Sequence, residues 1–240
     1  MTPPLFPPIP KETAKAANAI FGRSNFYIET GRRVNDLLAG VDLTPAQGWL
    51  QRSARTVAML YLVTIFQFRE TLPDEQAAEA LRERLDWKHA LHLPLQDPGL
   101  ESGLLCELRK WLLVEPSGMQ ALGVILSRTK VTGSGEESPE LQTDALIRRV
   151  CLISRLNKIW CAIRDVLEVL ALQQPDWLRR IILPTWYIRY GDHNQAPDLT
   201  ADHTQLEDLA QKIGGDGCYL IDQIAQSGLT ALRELPRCLR

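Results

Sequence analysis

Residues 144–173 read DALIRRVCLISRLNKIWCAIRDVLEVLALQ, and this stretch decides the fold class. Ile153, Leu156, Trp160, Ile163, Leu167 and Leu170 recur at alternating spacings of three and four, the seam of an amphipathic helix. Across from the seam, Arg148 and Arg155 fall almost in line, with Lys158 about 60° away at 3.6 residues per turn. Between residues 144 and 191 eight basic side chains, Arg149 among them, face four acids; from 192 to 240 the balance reverses to four against eight. The stripe is a candidate phosphate track, with an ordinary solvated helix face as the alternative.

Working outward, residues 129–140 (TKVTGSGEESPE) hold glycines, acids and a proline and little to bury, so residues 129–143 read as a linker. Residues 1–128 then form one helical domain and residues 144–240 a second helical segment. After the long helix, Pro175 opens another to residue 183, and residues 206–213 and 220–225 supply two more. In the first half, the proline-rich TPPLFPPIPKE is an extended arm, since proline lacks an N–H and crowds the preceding turn. Short helices are expected over 12–21 and 28–38, with a further start at Thr44-Pro45. Residues 53–68 are apolar almost throughout and read as a buried central helix. TLPD at 71–74 breaks it. DEQAAEALRERL follows with acids in its first turn and arginines in its last, which suits a helix dipole. Residues 93–99 are a loop and 104–114 a further helix. No period-2 strand is present, and the expected fold is all-α, a multi-helix bundle.

The helix–break–helix at 71–74 permits a helix-turn-helix, whose second helix would present Arg82, Arg84 and Lys88 to DNA; Arg109 and Lys110 on the next helix join this set. Trp87, Trp111, Trp160, Trp177 and Trp186 sit in periodic apolar contexts and read as core anchors. His89 and His92 read as surface imidazoles near a helix end, and no metal site is expected. Asp192-His193 and Asp202-His203 read as solvated loop residues or caps. Five cysteines, odd in number and widely spaced, exclude a disulfide scaffold and point to a reducing compartment. There is no G-x-S-x-G, no phosphate-cradling glycine loop and no H-E-x-x-H. The net charge of −2 excludes a polycation. No signal peptide opens the chain, and its longest apolar run is about half a membrane span. A soluble, cytoplasmic protein is expected, with no membrane partner.

IPKETAKAANAIFGRSNFYI, then FQFRETLPDEQAAEALRERLDWKHALHLPLQDPGLESGLLCELRKWLL, resembles the N-terminal helical domain of bacterial insertion-sequence transposases of the DDE class. QTDALIRRVCLISRLNKIW, QQPDWLRR, PTWYIRYG and IGGDGCYLID are similar to the helical segment that follows the first catalytic aspartate in one branch of that family. The resemblance implies binding of double-stranded DNA at an element's terminal repeats, hence a nucleoid-associated protein. It aligns Asp144 with the first catalytic aspartate. The departures are that Ala145, Leu146 and Ile147 follow where the family has Ser-Thr-His, and that the acidic GSGEESPE replaces a basic approach. The chain also stops at Arg240, before the second aspartate and the glutamate. One carboxylate cannot hold the two divalent ions the reaction needs. The expectation is therefore a DNA-binding fragment without catalysis of its own and without a cofactor; Mg²⁺ would matter only if an intact core came from elsewhere. The competing expectation is a module that forms homo-oligomers through the 153–170 seam and binds no DNA usefully.

Overall fold

The computed structural model describes residues 4–22, 24–129, 139–191, 199 and 202–227. Most of the expected linker, Asp192-His193 and Cys238 lie outside them. The described residues form twelve helices and no strand, so the fold is all-α. The chain divides into two compact units, Met1–Cys151 and Leu152–Arg240. The division falls inside the long helix, because Leu146, Ile147 and Val150 at its start belong to the first core. No helix among the described residues is long and apolar enough to cross a membrane.

The first unit is built round α4 (Ala54–Glu70), in which every residue from Val57 to Gln67 is buried. Ser53 caps its start by accepting the Thr56 N–H at 3.2 Å. Thr71 ends it in the left-handed conformation, φ 59°, closing onto the Gln67 carbonyl. Around it pack α1 (Lys11–Ile20), α2 (Phe26–Leu37), α3 (Thr44–Leu50), α5 (Asp74–Glu83), α6 (Leu85–Ala90), α7 (Ser102–Leu112) and α8 (Pro116–Thr129). Tyr27, Phe66 and Trp87 meet in edge-on and tilted ring contacts at centroid separations of 5.0–5.9 Å. The proline-rich arm is seated: Phe6 is buried, and its backbone N–H and carbonyl both bond the Asn35 side chain, at 2.9 and 3.0 Å.

Two local readings of this half need correction. The helix expected from Asp74 through the 80s breaks at Arg84, whose backbone is extended. The break turns Trp87 into the core and lets the Arg84 fork grip Asp86, at 2.7 and 3.1 Å. Residues 116–129, assigned nothing from sequence, form α8. Its glycines mask the helical period, yet Gly118 is required: a Cβ there would lie 2.3 Å from the Trp111 ring.

The second unit is organised by α9 (Pro139–Gln173) from Leu152 onward, with α10 (Pro175–Ile181), α11 (Pro184–Tyr190) and α12 (His203–Ser227). All six seam residues are buried in this unit's own core, with Leu178, Trp186, Leu206, Ile213 and Leu220. The seam therefore fills a core and is not a surface offered to another chain. Where two short helices were expected after residue 206, α12 runs unbroken through Gly214, Gly215 and Gly217. Packing overrides the weak helix propensity of glycine: Leu206, Ile213 and Leu220, two turns apart, are all buried, and Gly217 lies against Ile163. Trp160 donates its Nε1–H to the Arg189 carbonyl at 2.8 Å, while the Arg189 guanidinium and the Tyr190 hydroxyl both reach Asp216. Replacing Leu156 and Ile163 together with Glu is expected to melt this unit, because each buried carboxylate costs several kcal/mol. Circular dichroism should show a marked loss of helix; unchanged ellipticity would refute the core role of the seam.

Candidate nucleic-acid interface

The cations nominated from sequence divide by what already holds them. Lys88 is 4% exposed, and its ammonium donates to the Leu95 and Asp97 carbonyls, tying down the loop after α6. Arg109 is 4% exposed and pairs with Asp74, a wholly buried carboxylate that also accepts from Gln67 Nε2 at 3.0 Å. Arg84 holds Glu70 and Asp86 and lies over the Tyr27 and Trp87 rings, 5.2 Å from each centroid. Lys88 and Arg109 are thus buried and are not surface contacts for DNA, while Arg84, its side chain 34% exposed, has its guanidinium engaged by the two carboxylates. Nor do Arg82, Arg84 and Lys88 share one helix: the first is on α5, the second at the joint, the third on α6.

Arg82 and Lys110 are exposed. Arg82 shares a hollow with Glu75 and Glu101, carboxylates that weaken its pull on a phosphate. In the first unit Arg148 is exposed and pairs with Asp144 at 2.6 Å, one helical turn away, a contact worth a few tenths of a kcal/mol. Arg149 is half-buried. In the second unit Arg155 and Lys158 are exposed on α9. Among the described residues no group of three or more His, Cys, Asp or Glu could hold a metal ion, and Asp144 is paired with Arg148.

His89 and His92 are not at the surface. His92, with φ 52°, places its two ring nitrogens on the Pro7 and Gly31 carbonyls, clasping the arm to α2. His89 is buried, with no hydrogen-bond partner for Nδ1. Burial first, then the nearby His92 and Arg32, pushes its imidazole down to about 4. A neutral folded imidazole against an unfolded one that titrates near 6.5 gives the sign. Stability is fully present above about pH 7 and is lost as the pH falls from about 6.5 towards 4, by up to about 3 kcal/mol. Urea midpoints between pH 7.5 and 4.5 should fall in the wild type and flatten in His89→Gln; parallel curves would remove His89 from the account.

Sequence reading missed a place among the described residues where three cations converge on a cavity. Arg33 from α2, Arg69 from the last turn of α4 and Arg128 from the last turn of α8 line a hollow of about 230 Å³, together with Ser24, Phe26 and Glu29. Arg69 stacks on the Phe26 ring with its guanidinium carbon 4.2 Å from the centroid, and it makes no ion pair among the described residues. Arg128 donates Nη1 to the Leu37 and Ala39 carbonyls at 2.9 and 2.8 Å, which orients its fork at the end of α2. Arg33 meets Glu29 at 3.5 Å in a largely exposed contact. Three arginines against one glutamate leave the lining doubly positive. Nothing local in the sequence could flag this set, because its members come from three helices that meet through packing alone. No protein-family model, curated protein or solved structure matches the chain.

Proposed function

We propose that the first unit binds double-stranded DNA through its phosphates, as the resemblance to insertion-sequence transposases implies, with an element's terminal repeats as the target. The observation that carries this reading is the hollow on which Arg33, Arg69 and Arg128 converge. Guanidinium forks match phosphate oxygens bidentately, and stacking on Phe26 holds Arg69 ready without tying up its N–H donors. Lys110 is a further exposed cation of the same unit. Asp144 has no catalytic role in this reading, since a two-metal reaction needs further carboxylates beside it.

Fluorescence anisotropy with DNA flanking the gene, against a scrambled duplex, tests the proposal. Log affinity should fall linearly with log salt, at a slope near −0.9 per phosphate contacted. Arg69→Gln should reduce that slope by about one and weaken both duplexes alike, the behaviour of a phosphate contact. An affinity indifferent to salt would sink the phosphate model, and equal binding of the scrambled duplex would sink the terminal-repeat target.

A further inference from the structure

The hollow lined by the three arginines does not stand alone. Phe26 and Arg69 also border a second hollow of about 610 Å³, whose other walls include Tyr27 and Phe68. The two cavities thus meet at a stacked arginine–phenylalanine pair: guanidinium groups crowd one side, aromatic rings the other. We infer that they form one site for a terminal 5′-phosphorylated nucleotide, with the phosphate on Arg33, Arg69 and Arg128 and the sugar and base against Phe26 and Phe68. This deepens the DNA-binding reading above and rests on it.

Charge and shape select a chain end over an interior phosphate. A phosphodiester carries a single charge, and both its ester oxygens continue into sugars. A terminal phosphomonoester carries close to two charges at pH 7, with three free oxygens. The doubly positive lining matches the second. The hollow, about 230 Å³, has room for a phosphate with three free oxygens and for waters around it. Two hydroxyls of the wall, Thr30 and Thr129, are turned to the Phe26 and Leu126 carbonyls of their own helices, at 2.8 and 2.7 Å, which leaves the arginines as the main donors. In the aromatic hollow, Glu70 is already engaged by Arg84 and the Tyr27 hydroxyl, so it does not draw Arg69 away. Base stacking on such rings tolerates any base, as reading an end requires.

The test uses the full chain and a 3′-fluorescein duplex prepared with either a 5′-phosphate or a 5′-hydroxyl. The phosphorylated duplex should bind about tenfold tighter or more, the worth of a charge-assisted hydrogen bond. That ratio should shrink below about pH 6, where the phosphate loses its second charge. Arg69→Gln should bring it close to one. Should that variant fail to show a wild-type melting curve, Arg33→Gln, at a largely exposed position, gives the same readout. Free deoxynucleoside 5′-monophosphate as competitor separates the sources: strong competition assigns the site to a mononucleotide, weak competition to a polynucleotide end. Equal, salt-sensitive binding of both duplexes overturns this inference and leaves the DNA-binding reading intact. Absence of binding to either duplex by folded protein overturns both.

Discussion

Arg109→Ala is expected to cost the first unit about 3–5 kcal/mol, among the largest losses any single substitution in this chain should produce. The reason lies in what it abandons. Asp74, at the first position of α5, has a side chain with no exposed surface, and Arg109 is the cation set against it. Gln67 Nε2 supplies the carboxylate with one further donor at 3.0 Å, which cannot neutralise a charge. Truncating Arg109 removes the cation from a carboxylate that has no exposed surface. Removing both charges together, as in Asp74→Leu with Arg109→Met, should recover most of the loss, because apolar groups of similar size replace a buried pair at little cost. Urea unfolding followed by circular dichroism measures both. A loss under about 1 kcal/mol for Arg109→Ala would contradict the buried pair.

Gly31→Val should be nearly as damaging. A Cβ at residue 31 would sit 2.7 Å from the His89 carbonyl oxygen, 2.7 Å from His89 Nδ1 and 3.0 Å from the Ala90 Cα. Two of these atoms are backbone and cannot swing aside, so α2 and α6 must separate. Overpacking of this kind costs about 1–3 kcal/mol, and a branched side chain belongs at the upper end. The same separation would pull the Gly31 carbonyl away from His92. In contrast, Gly214 in α12 has nothing within 4 Å of a built Cβ, and Gly214→Ala should stabilise its helix by about 1 kcal/mol. Thermal melts of the two variants should move in opposite directions; a neutral Gly31→Val would mean that the α2–α6 approach is looser than described.

The helical class and the central helix were legible because their signals are periodic. The buried run of α4 and the seam of α9 repeat over several turns, and no packing partner is needed to recognise them. Breaks and continuations were harder. Arg84 interrupts a pattern that reads as unbroken helix, and it does so for contacts with Glu70 from another helix. The glycines of α12 read as a stop, yet the helix continues through them because Leu206, Ile213 and Leu220 are buried on its inner face. The cations show the same limit. Lys88 and Arg109 have the sequence appearance of surface charges, yet their partners, the Leu95 carbonyl and the Asp74 carboxylate, are set by tertiary structure. Arg33, Arg69 and Arg128 are unremarkable one at a time. Their meaning arises where three helices meet, and spacing along the chain does not encode that.

The seating of Phe6 and the clasp of Pro7 by His92 also order events in time. Eighty-five residues separate Pro7 from His92. At ribosomal speeds of about 5–20 residues per second, His92 is made on the order of ten seconds after the arm it will hold. The arm, made before the helices that hold it, is thus among the later segments to dock, after α2 and α6 have come together beneath it. Closing so long a loop is an entropic step that the earlier helix pairings shorten. Until then Phe6 is an exposed aromatic on a nascent chain, and the interval before closure is when this domain is most open to chaperones and to misassembly.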